Sequence, residues 1–584
     1  MSDGNKGLPM TAKWDPEKLQ REVAELEALE QKPFLPRAIG YIKRTGPGLL
    51  QSAMTLGAGS ATASVMAGAS FGYKLLWVQP VAMFLGVMML AALANVVLTT
   101  QERPYKAFGR ELSWVLVFLW ALATIASSII WHFPQYGLAA GAMRDLGKMA
   151  SVATDVEMVQ LADGTFATPA DDATVEAVAA KLQDKFEGFD LEKVRAGVPE
   201  DEWKELKIEA AKGEGAKLAS VFTPAGLGLG WLVGCIILGI NVFMVFSYGG
   251  SSRGIKLYEW FLRAVIGLVI LMFAIVVIAS ASKIDWGELG KGFIGWYGIP
   301  NWQDPKNVTL VLGMLGAAVG INMTFLYPYS LLAKGWGPKH KTLAKWDLGM
   351  SMFLPFVLVT SLVIIAMTVT GVYSGEDVLR EGIKPVAAAA SLHGVLGEKA
   401  GRLVFDLGLI AMTCSAISTH MIVCGFTFCE MLNLEYTKTR FRLFALTPAI
   451  GIFGVVTTLP FWFPVAASAI CFAMLPIAYL TFLIMNNKRS YIGDAVGKGL
   501  SRLLFNAVLV VALLLATIGS IIQINNRVIQ NPRVREFLGL SAPAAESAPK
   551  QGNAAADETS ADESGTSEQD GSGESADGSE DAAE

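Results

Sequence analysis

"LGAGSATAS", residues 56–64, lies in the middle of the first long apolar stretch of the chain. Its glycines and small hydroxylated residues make it a poor membrane helix. Lipid cannot hydrogen-bond the backbone that a broken helix releases, so a break at bilayer depth survives only where protein or a water-filled cavity covers it. A later apolar stretch carries the same oddity: "LGAAVGINMTF", residues 315–325, places glycines and small or amide residues near its centre. Interrupted segments in corresponding positions of two halves point to an inverted-repeat transporter with a binding site near the membrane midplane. Unwound backbone there offers carbonyl oxygens to a cation, or helix N-termini to an anion.

The surrounding chain fits a membrane setting. Of 584 residues, 53% are hydrophobic and only 17% charged, the composition of an all-α polytopic membrane protein. Apolar segments near 20 residues predict eleven spans, at 46–68, 72–100, 112–142, 223–248, 257–282, 307–333, 346–373, 398–431, 441–460, 464–486 and 502–524. The two interruptions fall in spans one and six. The stretch before Gly46 is polar and has no cleavable apolar core, so span one is expected to serve as the insertion signal. Basic clusters such as "ERPYKAFGR" (102–110), "KGWGPKHK" (334–341) and "NNKRSY" (486–491) all fall on the N-terminal side of the expected topology. That places the N-terminus in the cytoplasm and the C-terminus outside, in a bacterial inner (plasma) membrane.

Five parts follow: a cytoplasmic segment 1–45, transmembrane helices one to three in 46–142, an extracytoplasmic insert 143–222, helices four to eleven in 223–525, and an acidic tail 526–584. Residues 15–31 predict a helix with Pro16 in its first turn and Leu19, Val23 and Leu26 on one face. It either lies against its own body or the interface, or takes a cytoplasmic partner. In the insert, "DDATVEAVAAKLQDKF" and "EDEWKELKIEAAK" have helical periodicity. The tail is too acidic and too poor in apolar residues to fold. The five cysteines lie in apolar segments without a zinc-type spacing. Neither a nucleophile triad nor a phosphate-cradling loop is present, so an enzyme, a cofactor and a nucleic-acid partner are not expected.

"GPGLL" (46–50), "FGYKLLWV" (71–78), "LGMLGAAV" (312–319), "GLIAMTCSAISTHMIVCGFTFCEML" (408–432) and "NNKRSYIG" (486–493) resemble the natural resistance-associated macrophage protein (NRAMP) family of divalent metal transporters. The resemblance runs from Gly46 to Gly493, insert excluded. It implies an eleven-span, leucine-transporter-like fold in which spans one to five and six to ten are inverted repeats with broken helices one and six.

The family's metal site is altered here. Its Asp-Pro-Gly-Asn motif falls on Gly57-Ala58-Gly59-Ser60 and its Met-Pro-His motif on Gly320-Ile321-Asn322, so the Asp and Met ligand positions are Gly57 and Gly320. Its span-three Asp-Leu-Ala-Glu motif, associated with proton movement, falls on Trp131-His132-Phe133-Pro134, and a span-ten glutamine position holds Ser468. The remaining donors are neutral: Ser60, Asn322, the Ala317 carbonyl, and Thr55 or Thr324 if they face inward. Carboxylate normally offsets the dehydration of a divalent ion, and thioether selects soft metals, so a largely hydrated Mg²⁺-like cation is the cargo expected from these losses. His132 and Asp406 are the candidates for coupling, while Glu430 reads as an end-of-helix residue.

Two other readings stay open. A charge-poor site with Trp131, Phe133 and Tyr136 nearby suits a small neutral or cationic organic solute through ring faces. A non-transporting sensor or scaffold would report through the N-terminal helix and the insert.

Overall fold

The computed structural model describes residues 16–160, 166–169, 217–248, 252–370, 396–456, 462–530 and 534–535. Pro16 opens helix α1 (Pro16–Glu30), where its missing N–H costs nothing. Leu26 and Leu29 of α1 are buried against α2 (Phe34–Ile42), and Gly40 leaves room for the Leu29 side chain. Glu25 pairs with Arg44 at 2.6 Å and Glu27 with Lys339 at 3.0 Å. Leu26 and Leu29 of α1 are thus covered by the chain itself, while Val23 is half-buried.

Eight helices among the described residues are long and apolar enough to cross a membrane. Of the expected spans outside these eight, the tenth is a continuous helix, Trp462–Asn487, whereas the first and the ninth are built differently, the described part of the ninth ending in a 3₁₀ stretch at Val455. Span one is two short helices, α3 (Pro47–Thr55) and α4 (Ala58–Phe71). After α5 (Val78–Thr100) and α6 (Pro104–Glu111) comes α7 (Trp114–Met149), which runs past the expected end of span three at residue 142. It does so because Arg144 is satisfied in place: its guanidinium donates to the carbonyls of Gly226 (3.1 Å) and Val455 and lies over the Phe222 ring.

The insert therefore begins near residue 150 rather than 143, and its described part is a sheet. Strands β1 (Asp155–Gln160), β2 (Phe166–Pro169) and β3 (Lys217–Phe222) pair antiparallel in the order β2-β1-β3. The two helices expected in the insert, and the acidic tail from 536 on, lie outside the described residues.

The second half continues with α8 (Pro224–Tyr248), α9 (Ser252–Ala279), and α10 (Trp286–Phe293), whose N-cap Asp285 accepts the Gly287 and Glu288 N–H groups. Next come α11 (Pro305–Ala318), α12 (Ile321–Ala333), α13 (Lys341–Asp347), a wide turn Leu348–Phe353, and α14 (Leu354–Thr370). The chain ends in α15 (Glu398–Met431), α16 (Lys438–Ala445) followed by a 3₁₀ stretch Thr447–Val455, α17 (Trp462–Asn487) and α18 (Gly499–Ile524). Helix α15 packs along α7, α9 and α3, and α4 packs against α14, so the core is centred on the α7–α15 pair.

One end of this bundle is sealed. Every residue of α3 and of α12 is buried. At the N-terminus of α3 the fully buried Asp347 accepts the N–H groups of Gly46 (2.8 Å) and Gly48 (2.6 Å), an anion set on the positive end of a helix. Lys334 pairs with Glu259 at 2.7 Å beside it, and Arg263 donates to the Thr45 carbonyl at 2.6 Å. In the other halves of the two spans, most of α4 is likewise buried, while Thr62 on α4 and Gly316 on α11 are exposed.

Candidate functional site

The chain leaves the helix at Leu56 (φ −82°, ψ 69°) and Gly57 (φ −133°, ψ −167°), then re-enters it at Ala58. Neither conformation demands glycine; space does. A Cβ on Gly57 would stand 2.7 Å from Gln135 Nε2 and 3.2 Å from the Ala416 side chain. Gln135, buried on α7, reaches across to accept the Ala58 N–H at 3.1 Å and so covers one of the donors that the new helix start releases. Ser60 accepts the Gly57 N–H (3.2 Å) and donates to the Gly57 carbonyl (3.0 Å). Thr55 donates to the Ser52 carbonyl at 2.8 Å.

The second break is the counterpart. Helix α11 ends at Ala318, Gly320 is extended (φ −93°, ψ 166°), and α12 starts at Ile321. The Ala317 carbonyl belongs to the last turn of α11, where carbonyls have no partner within the helix. Thr324 donates back to the Ile321 carbonyl and accepts from Trp120 Nε1 at 2.9 Å. The Met323 sulfur accepts the Gly320 N–H at 3.4 Å, so a thioether stands at this break. Asn322 Oδ1 accepts the Met323 N–H at 3.0 Å, which turns its Nδ2 toward His420 Nδ1 at 3.1 Å.

His420 on α15 and His132 on α7 meet, with ring centroids 5.4 Å apart and planes at 66°. Both are buried. His132 Nδ1 donates to the Ser128 carbonyl at 2.8 Å, and its Nε2 has no partner among the described residues. Gln135, His132, His420 and Asn322 thus join the two breaks through side chains of α7, α15 and α12. Among the described residues no group of three or more His, Cys, Asp or Glu side chains converges here or elsewhere.

The other sequence-derived candidates are placed apart. Asp406 is fully buried on α15, fourteen residues before His420, about 21 Å along a helix. Its carboxyl lies beside that of Asp145, itself 3.7 Å from Arg402. Glu430 accepts from the Tyr436 hydroxyl (2.7 Å) and pairs with Arg103 (3.5 Å), a structural role near the opposite end of α15. Ser468 lies in α17. Trp131 is 40% exposed while Phe133 and Tyr136 are buried, so these three rings do not form a single cage.

Two glutamines went unremarked in the sequence. Gln135 follows Pro134 in an apolar run, and an amide there is the signal that a backbone break lies opposite. Gln51 on α3 is wholly buried, and neither of its amide atoms is bonded among the described residues.

Comparison with known proteins places this architecture. A family model described as natural resistance-associated macrophage protein-like matches residues 218–522. A mutant of the manganese transporter of Eremococcus coleocola superposes with a TM-score of 0.56 at 14% identity, covering 93% of each chain. The same transporter in complex with an aromatic bis-isothiourea substituted compound gives 0.56 at 14%, covering 92% of this chain and 94% of that one. At this identity the likeness is one of fold.

Proposed function

Because the chain belongs to the natural resistance-associated macrophage protein-like family, we propose that it moves a divalent metal cation across the membrane by alternating access around the breaks at Gly57 and Gly320. The observation that carries this reading is the pairing of the two interruptions, each with a helix C-terminus facing a helix N-terminus and both tied to one buried polar cluster. In this reading spans one to five and six to ten are inverted repeats of an eleven-span protein. The substrate-binding set in this reading is Gly57, Ser60, Ala317, Gly320, Asn322 and Thr324, with Ser468 of α17 as a further candidate from the sequence alone.

The sealed end supports a state closed on one side. With the basic clusters in the cytoplasm, that side is the inner one, and the Asp347 cap on α3 holds it shut. Transport then requires α3 and α12 to swing away while α7 and α15 stay. The acids of the family's proton route are absent at Trp131 and Pro134, so coupling runs elsewhere or not at all, with Asp406 and His132 as the candidates.

A small organic solute is the competing cargo, favoured by the lack of any three-residue acid, His or Cys cluster among the described residues. Purified protein in liposomes loaded with a metal-sensitive dye separates the two. Divalent metal influx above protein-free liposomes is expected. Absent influx of Mn²⁺, Zn²⁺ and Mg²⁺, together with thermal stabilisation by an amine or amino acid, would reassign the cargo.

A further inference from the structure

We propose that His132 and His420 form a nitrogen-donor metal site between the two helix breaks, taking an imidazole-preferring transition ion such as Zn²⁺, Ni²⁺ or copper in preference to Mg²⁺ or Ca²⁺. As a statement about cargo, this rests on the transport reading above; as a statement about binding, it stands on the geometry alone.

The first observation is the tautomer of His132. The Ser128 carbonyl can only accept, so Nδ1, 2.8 Å from it, carries the proton, and Nε2 carries a lone pair. That lone pair is buried and unpartnered among the described residues. Burying an acceptor without a donor is costly, and native proteins rarely leave one. A backbone carbonyl holding one ring nitrogen while the other is free is the arrangement by which proteins orient a metal-ligating imidazole.

The second observation is the partner ring. Two imidazoles on one tetrahedral ion, with bonds near 2 Å, have centroids roughly 5 Å apart. The pair here is separated by 5.4 Å. His420 Nδ1 accepts the Asn322 amide N–H in the absence of an ion. A cation binding at Nδ1 displaces that N–H, and rotation of the Asn322 amide then offers Oδ1 as a third donor, with no proton gained or lost. The two imidazole nitrogens and the Asn322 amide oxygen make a set of nitrogen and neutral oxygen. A set of that kind suits borderline ions, whereas Mg²⁺ and Ca²⁺ take oxygen, preferably charged. The hydrated hard ion expected from the sequence fits these donors less well.

The bland alternative is edge-to-face packing of two rings, which gives a similar separation. Phenylalanine preserves that packing and removes the nitrogen, so His132→Phe and His420→Phe discriminate. In detergent-purified full chain, calorimetry with ZnCl₂ is expected to give one site that is at least about tenfold weaker in each variant, with MgCl₂ binding far more weakly than ZnCl₂. X-ray absorption at the zinc edge on the unmutated protein is expected to show imidazole scattering from two rings, a readout that no folding defect can imitate. Zinc bound without imidazole scattering, equal affinity in both Phe variants, or tighter Mg²⁺ than Zn²⁺ would overturn the proposal. Zinc held by two imidazoles without metal influx into liposomes would leave the site standing and remove transport. Metal influx indifferent to both Phe variants would do the reverse.

Discussion

Glycine at residue 57 is a matter of room, and that sets what can be engineered there. Restoring the family's acid with Gly57→Asp brings a Cβ to 2.7 Å from Gln135 Nε2, which forces Gln135 off the Ala58 N–H. The lost bond costs about 1–3 kcal/mol, so the single variant is expected to unfold at a lower temperature. Adding Gln135→Ala clears the space, and the aspartate, standing at the N-cap of α4, bonds the first turn itself. The double variant is expected to bind Mn²⁺ about tenfold tighter by calorimetry, because a formal charge now meets the cation. Unchanged calorimetry in a folded double variant would mean that metal does not pass residue 57.

Helix α3 is the element whose movement the transport reading demands. Its N-terminus is held by two charge-assisted bonds from Asp347, a residue about 300 positions away in sequence. Asp347→Asn keeps the shape but has one acceptor oxygen for two N–H groups. Charge-assisted bonds contribute about 1.5–3 kcal/mol each, so the closed state should lose roughly tenfold or more in population. A cysteine at Ser52, placed in a background with the five native cysteines replaced, reads this out, since Ser52 is wholly buried. Maleimide labelling should be at least about tenfold faster in the Asp347→Asn background. Equal labelling rates would remove Asp347 from the closure.

What the sequence disclosed at this scale follows from the range of the forces. Glycine beside small polar residues is a local signal at Gly57 and Gly320, and helix bounds fall near both, at Thr55 and Ala58 and at Ala318 and Ile321. The sheet of the insert was missed: "DVEMVQ" alternates weakly and pairs with a strand some 60 residues on, which periodicity cannot see. The meeting of His132 with His420 was illegible for the same reason. Nearly 300 residues separate them, and only the packing of α7 along α15 brings their rings together.

Across the whole molecule, the ends of the bundle differ. One end is tied by Asp347, the Glu259–Lys334 pair and the α1 contacts through Glu25 and Glu27, while Thr62 and Gly316 remain exposed toward the other. The buried cluster of Gln135, His132, His420 and Asn322 lies between these ends, where the two pairs of helices meet. Asp406, buried beside Asp145, lies about 21 Å along α15 from His420 and so stands apart from that cluster.

Everything above turns on a cation resting where two interrupted spans expose main-chain groups to the same buried space. A cryo-EM structure of the full chain in lipid nanodiscs with saturating Zn²⁺ or Mn²⁺ addresses it directly. The expected result is one metal density between Leu56–Gly57 and Val319–Gly320, within bonding distance of a His132 or His420 nitrogen or of a helix-end carbonyl. Density bound only elsewhere, with helices α3–α4 and α11–α12 closed tightly over an empty junction, would contradict it.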